Sequence, residues 1–561
     1  ERKMLRIPLQ SAAGPRAAKI AVSLFFAAFL TLGLLTAADY GQPWDEQDEM
    51  DILRMNLWEY ARWFHADQSA FEARAAQDSL SINALSPISE SVERDHGVSA
   101  LYPLAPVVMS ETVSENLRTA VWHMYCWVLF TLGAYALYAC CRELGLSRGA
   151  GLLAVLFLLL SPRFFAEGHY NNKDVVLMSL TLCVLWRGLA LMRRPSVIRA
   201  LSFAFFGALA ANTKIVGFAL WGLCALFVLL RHIIKKTLDR RALWAGAAAL
   251  SGFVAFFALL TPALWSDPVG FVSYLLANAT AFQRWENFIL FRGVVFDLTQ
   301  TSLPWYYLPY MILATTPLWA LLMIFLGQAS ALFAFRHRFF RAHLDLSLSL
   351  LLCTLLWALP LGFALITRTS VYNGWRHFYF LYGPMLVLAA YGACAFWRRL
   401  GCRKAPRMAF SGLLALCMAL TGAGIASQHP FQYAYYQPLV QLRGDHFLEL
   451  DYWNVSAQNA LARLAEQQEG ELRVGYADLW SQNAVEHGIF ALPDGLRGRF
   501  TIVGPEDEPA RWVLANPTYA LFSGFIPSMG MREAIVLTSY GRPIMQIYDA
   551  AAGAAAGEAL P

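Results

Sequence analysis

Residues 17–37 read AAKIAVSLFFAAFLTLGLLTA, and the chain then runs almost at once into Asp39-Tyr-Gly-Gln-Pro-Trp-Asp-Glu-Gln-Asp-Glu-Met-Asp51. The first stretch has about the ~20 apolar residues that an α-helix needs to cross the hydrocarbon core. It is longer than the apolar region of a cleavable signal peptide, and Ala37-Ala38 leads straight into the acidic run, so it reads as a retained membrane helix. An acidic cluster at the mouth of such a helix puts ionisable groups at the water–lipid boundary, where desolvation and neighbouring charge tune a carboxylate.

The rest of the chain extends this reading. Of 561 residues, 57% are hydrophobic and only 15% charged, a balance that belongs in a bilayer rather than in water. The formal charge of +5 is small for this length and gives nucleic-acid binding no support. A window of about 19 residues marks about eleven candidate spans, near 17–37, 118–139, 149–162, 174–192, 198–212, 215–231, 243–263, 307–328, 346–366, 378–396 and 408–426. Eight of the nine cysteines lie within or at the ends of these spans and Cys402 lies in a basic loop, so they read as small buried hydrophobes without a disulfide framework.

Basic residues set the orientation. Arg2, Lys3, Arg6, Arg16 and Lys19; Arg142 and Arg148; Arg193, Arg194 and Arg199; the cluster from Arg231 to Arg241; Arg336, Arg338 and Arg341; and the cluster from Arg398 to Arg407 share one side if the spans alternate. By the positive-inside rule that side is cytoplasmic. The opposite, extracytoplasmic side then carries the first loop 38–117, the loop 163–173, the turn Asn212-Thr213-Lys214, the loop 264–306, the segment Thr367–Trp375 and everything from about 427. The expected organisation is a membrane domain, 1–426, followed by an extracytoplasmic α/β domain, 427–561.

Met50–Phe64 has apolar residues at helical spacing and suits an amphipathic helix on the membrane surface; the loop 264–306 reads similarly, with Trp265, Tyr274, Trp285, Trp305, Tyr306 and Tyr307 as interfacial anchors. In the tail, a helix is expected at Ser456–Gln467 and strands at Leu472–Tyr476, Phe500–Val503, Tyr519–Phe522 and Ile544–Tyr548, with a frayed end from Ala551 to Pro561.

Asp45 and Glu46 alone fit an ordinary solvated acidic loop. Recurrence changes the weight. Ser161-Pro-Arg-Phe-Phe-Ala-Glu-Gly-His-Tyr-Asn-Asn-Lys-Asp174 crowds seven polar residues between two apolar spans; Asp174 can cap the next helix and Lys173 can snorkel, but a cap explains one residue of the seven. Lys214 sits at an outer turn where topology disfavours positive charge, and a lipid phosphate is the anion at hand. In Tyr372-Asn-Gly-Trp-Arg-His-Phe-Tyr379, Arg376 has the geometry to grip phosphate oxygens bidentately while His377 donates a further hydrogen bond. Acids for an acceptor and cations for a donor phosphate, all on one side, make a transferase layout.

On these residues the chain resembles the GT-C superfamily of polyprenyl-phosphate-sugar-dependent glycosyltransferases, which includes protein O-mannosyltransferases and lipid A aminoarabinose transferases. Trp44-Asp45-Glu46 looks like the superfamily's Asp-Glu motif in the first extracytoplasmic loop. Asn172-Lys173-Asp174 is similar to its second-loop acidic motif, and Thr213-Lys214 to a lysine in the same topological place. Together with Tyr372–Phe378, His429-Pro-Phe-Gln-Tyr-Ala-Tyr-Tyr-Gln-Pro438 and Asp451-Tyr-Trp453, they resemble a less characterised bacterial branch; the tail departs from the best-known members. The resemblance implies a polytopic α-helical GT-C fold in a bacterial inner membrane, with the N-terminus cytoplasmic and the active site periplasmic. It also implies a polyprenyl-phosphate-linked sugar donor, a glycan, lipid or protein acceptor, and Asp45 as catalytic carboxylate.

The candidate site is then Asp45, Glu46 and Asp174 for catalysis; Lys214, Arg376, His377 and Lys173 for the donor phosphate; and His169, Asn172 and Tyr372 for orienting the acceptor. No cofactor is required by this set, although Asp45, Asp174 and His169 are compatible with a divalent metal. Asp45 acting as general base in a single displacement at the anomeric carbon would invert its configuration. The competing reading is a transporter or flippase for a lipid-linked anion, which would share the cations and aromatic belts; the two halves of the chain show no repeat that favours it.

Overall fold

A computed structural model of the chain describes residues 15–77, 80–280, 288–369, 371, 373–444, 447–504, 510–528 and 530–551. Arg2, Lys3, Arg6, Trp285, Tyr372 and the chain end from Ala552 lie outside them.

The apolar runs all form helices: α1 (Pro15–Thr36), α3 (Glu115–Glu143), α4 (Arg148–Leu159) with α5 (Pro162–Tyr170), α6 (Asp174–Arg193), α7 (Val197–Thr213), α8 (Val216–Ile234), α9 (Arg240–Leu260), α11 (Tyr307–Thr315) with α12 (Leu318–Ala334), α13 (Leu344–Thr367), α14 (Tyr382–Arg399) and α15 (Lys404–Ser427). The loops add α2 (Glu46–Trp63) and α10 (Pro268–Thr280). Polar caps start several of them: Ser114, Ser147, Ser196 and Asp239 each accept a backbone N–H from the first turn of α3, α4, α7 and α9.

Eight helices among the described residues are long and apolar enough to cross a bilayer. The expected eleven spans are all helical, but two are broken. α4 and α5 meet at 77° and α11 and α12 at 116°, and counting each bent pair as one span gives up to ten. Both breaks fall at prolines, Pro162 and Pro317, which cannot donate the helical hydrogen bond. Of the unbroken spans α7, with 17 residues, is the shortest.

Burial orders the bundle. In α6, 89% of the apolar window is buried, whereas α15 has 11% and α1 17%, so α6 is the axis and the other two present their sides to lipid. α12 and α14 approach backbone to backbone: a Cβ on Gly327 would lie 2.2 Å from the Leu388 carbonyl oxygen, and one on Gly392 would lie 2.2 Å from Gly327 N. Glycines permit this contact because no side chain stands between the helices.

α2 differs from the expected surface helix. Met50, Ile52, Leu53 and Met55 are buried, and so are Glu46, Glu49, Asp51, Arg54 and Glu59 on the other sides. Its charges are matched from within the loops: Arg54 pairs with Asp51 and donates to the Val108 carbonyl at 3.1 Å, while Glu59 accepts from Ser89 and from Ser266 Oγ. The amphipathic spacing was real, but the polar stripe meets protein instead of water.

A hairpin, β1 (Phe288–Phe291) and β2 (Val294–Asp297), precedes α11. After α15 the chain leads through 428–455 into α16 (Ser456–Gln467), β3 (Leu472–Tyr476), α17 (Leu479–Phe490), β4 (Phe500–Ile502), β5 (Trp512–Ala515), α18 (Pro517–Ser523), β6 (Arg532–Ser539) and β7 (Arg542–Asp549). The sheet order is β4-β3-β5-β7-β6, with β3 parallel to both neighbours and β7 antiparallel to both of its own. Tyr540 and Gly541, at φ 50° and 76°, make the tight turn between β6 and β7. Ser456–Gln467 and Leu472–Tyr476 appear as read, the strand expected at Phe500–Val503 ends at Ile502, and the one expected at Ile544–Tyr548 extends over Arg542–Asp549. Tyr519–Phe522 does not form a strand: it belongs to α18, because Pro517 opens a helical turn and the Asn516 side chain accepts the Thr518 N–H. The nine cysteines are all free.

Candidate active site

Asp45 stands at the head of α2, and its carboxylate makes no capping bond to the helix. Half-buried, it lines a cavity of about 850 Å³. Around the polar end of that cavity stand Glu49, Asp95, His96, Asn171, Asn172, Lys173, Asp174, Lys214, Arg376, His377 and Trp453. The other end is apolar, walled by Ile215, Val216, Leu220, Leu223 and Leu226 from the start of α8 and by Leu359, Pro360 and Phe363 from the far end of α13.

Each charged group is placed by its local fold. At the α5–α6 junction, Asn171 Oδ1 accepts the Asp174 N–H at 2.8 Å while its Nδ2 donates to Glu167 Oε2 at 2.8 Å. Asn171, rather than Asp174, thus supplies the expected cap, and the Asp174 carboxylate is left to face the cavity. Lys214 sits in extended conformation at the break between α7 and α8. Asn212 fixes that break by accepting from Ser99 N at 3.0 Å and donating to Thr261 Oγ1 at 2.9 Å.

Two ion-pair systems result. Lys214 Nζ lies 2.5 Å from Asp174 Oδ1, and an Arg376 terminal nitrogen lies 3.9 Å from Asp174 Oδ2. Lys173 Nζ lies 3.3 Å from Glu49 Oε1. Arg376 is also held from above by the chain leading into α16: its guanidinium lies 4.2 Å from the Trp453 ring centre and 4.9 Å from that of Tyr452, and it donates to Tyr452 Oη at 3.3 Å. Stacking of this kind keeps a planar cation oriented while its edge stays available. Trp44 N donates to the Trp453 carbonyl at 3.3 Å, tying that segment to the Asp45 motif.

Burial holds the Asp45 carboxyl well above the ordinary carboxylate range; Arg376 pulls it back, and Glu49, Asp48 and Glu46 push it further up. Burial likewise raises Asp48 to about 6. The Lys214 ammonium is pulled down by burial and held up by Asp174.

Glu46 does not reach the cavity. Its Oε2 is 2.8 Å from His123 Nε2 and its Oε1 accepts from Gln42 Nε2 at 3.2 Å, all buried, so it anchors α2 to α3. His169 does not reach it either. It is stacked between Tyr40 at 4.4 Å and Trp127 at 4.3 Å, with Nε2 3.1 Å from Thr36 Oγ1. The metal reading that joined it to Asp45 and Asp174 fails on this position, and no group of three or more metal-ligating side chains forms among the described residues.

The sequence reading missed Glu49, Asp95, His96, Tyr452 and Trp453 as cavity or positioning residues. Glu49 was within reach of it, one helical turn after Asp45 and so on the same face. A second small cavity, of about 20 Å³, lies behind Arg376 and Trp453 and is lined by Arg163, Glu167, Tyr379 and Glu449. Burial pushes Glu449 up to about 7, against hydrogen bonds from Leu290 N and Asn373.

No protein-family model and no curated protein matches the sequence. Among solved structures the chain is similar to ArnT from Cupriavidus metallidurans in the apo state, with 15% identity and a TM-score of 0.47 over 96% of this chain and 99% of that one. It is also similar to the same ArnT bound to undecaprenyl phosphate, with 14% identity and a TM-score of 0.44 over 94% and 98%.

Proposed function

We propose that the protein is a membrane glycosyltransferase of GT-C type that moves a sugar from a polyprenyl phosphate to an acceptor hydroxyl. One observation carries the reading: Asp45, Lys214 and Arg376 line a single cavity whose other end is an apolar slot between α8 and α13. A lipid phosphate needs both halves, cations for its head and hydrocarbon for its tail.

In this account the prenyl chain lies against Leu220, Leu223, Leu226 and Phe363, and the phosphate displaces part of the Asp174 contact to Lys214 and Arg376, with His377 beside them. Those groups stabilise the charge that gathers on the phosphate as the anomeric bond breaks, the electrostatic contribution that is usually largest in such transfers. Asp45 takes the proton of the attacking hydroxyl. A carboxylate made more basic by burial is better suited to this than an ordinary one, provided it is ionised when the acceptor arrives. One displacement inverts the anomeric centre. Asp174 is a positioning residue for the two cations, not a second base.

The distribution of basic loops supports a cavity and a sheet domain after 427 that both face the extracytoplasmic side of the membrane. In proteoliposomes the Lys214→Ala and Arg376→Ala variants should bind undecaprenyl phosphate at least about tenfold more weakly, the loss expected for a charge-assisted contact. Unchanged affinity in both would end this reading. Lipid movement across the bilayer without sugar release would replace it with a flippase.

A further inference from the structure

Beside Asp45 the cavity wall holds three buried polar atoms that the phosphate account does not use. Glu49, Asn172 and Lys173 are 5%, 8% and 8% exposed. Glu49 Oε2, Asn172 Nδ2 and Lys173 Nζ have no hydrogen-bond partner among the described residues; the Lys173–Glu49 contact at 3.3 Å is an ion pair through Oε1. All three residues line the cavity. Glu49 N donates to the Asp45 carbonyl at 3.1 Å, so Glu49 stands one turn along α2 from the proposed base, on the same face.

Buried polar atoms with no protein hydrogen-bond partner are normally satisfied by water or by a ligand, and these three line the same cavity as Asp45. This set offers one anionic acceptor and two donors. A sugar hydroxyl both donates and accepts, so adjacent hydroxyls satisfy the three atoms: one gives its proton to Glu49 Oε2, and their lone pairs accept from Asn172 and Lys173. A carboxylate-bearing sugar would compete with Glu49 for Lys173 and an amine would compete with Lys173 for Glu49, whereas neutral hydroxyls bind both while the 3.3 Å ion pair stays intact.

We propose that Glu49, Asn172 and Lys173 form the subsite that reads hydroxyls of the transferred sugar and selects a neutral sugar over a uronic acid. This rests on the glycosyltransferase reading above.

The test uses the full-length protein in lipid nanodiscs and three probes: undecaprenyl phosphate, the same lipid carrying a neutral hexose, and the same lipid carrying a uronic acid. Wild type should bind the hexose lipid about tenfold or more tighter than the uronate lipid, the scale on which an unmatched polar site discriminates. Glu49→Gln, which keeps the shape, should reduce that ratio to about threefold or less while binding of the bare lipid phosphate stays unchanged. Asn172→Ala should weaken the hexose lipid alone. Wild-type preference retained in both variants, a wild type that prefers the uronate, or a parallel loss for all three probes would overturn the subsite. A wild type that binds none of the three would overturn the transferase reading with it.

Discussion

Lys214 Nζ and Asp174 Oδ1 are 2.5 Å apart, joining the break between α7 and α8 to the first residue of α6, the most buried helix of the bundle. The contact neutralises a cation that the cavity otherwise leaves in apolar surroundings, and the same carboxylate reaches toward Arg376 at 3.9 Å. Asp174→Asn keeps the shape and removes the charge that holds both cations. The expected outcome is donor affinity reduced about 10–100-fold, in line with the 1.5–3 kcal/mol of a charge-assisted contact. Titration of the detergent-solubilised variant with undecaprenyl phosphate reads it. Equal affinity in variant and wild type would show that Asp174 does not position them.

If Asp45 is the base proposed above, it sets a pH dependence. Its pKa is raised, chiefly by burial, so the ionised form that accepts a proton is lost as pH falls through a value well above the usual carboxylate range. Transfer rate should therefore rise with pH and level off later than it would for a solvated Asp. A rate already constant from about pH 4, the ordinary carboxylate value, would contradict the assignment.

The Glu46–His123 pair is structural. His123→Ala leaves Glu46 buried beside a void and without one of its hydrogen-bond partners, a change that costs about 1–3 kcal/mol. Thermal unfolding should come earlier by several degrees. The protein that remains folded should bind the donor as wild type does, since neither residue lines the cavity. Weakened donor binding at full stability would reverse that division.

Trp453 is predicted to act through Arg376. Trp453→Ala removes a ring 4.2 Å from the guanidinium, a contact of about 2 kcal/mol when desolvated, and should weaken donor binding about tenfold or more. Trp453→Phe should recover most of that loss. If Phe and Ala behave alike, stacking is not what places Arg376.

Helices were legible because apolar length is a property of contiguous residues. Their continuity was not: Pro162 and Pro317 were visible, but whether a proline bends a span or ends it depends on packing around it. Lys214 and Arg376 stood out because a cation at an apolar outer turn needs an anion. Glu46 and His169 were misplaced for the opposite reason, since their partners, His123 in one case and Tyr40 with Trp127 in the other, come from distant segments that no local pattern links to them. The contribution of Tyr452 and Trp453 was hidden in the same way, as they lie 76 and 77 residues beyond Arg376 in the chain.

The central claim is that Asp45 is the base in a site whose cations hold a lipid phosphate. The most direct measurement is sugar transfer and undecaprenyl-phosphate binding by Asp45→Asn in proteoliposomes made with the full-length protein. The account predicts transfer reduced to background with donor affinity unchanged to within a few-fold. Transfer at the wild-type rate would contradict it.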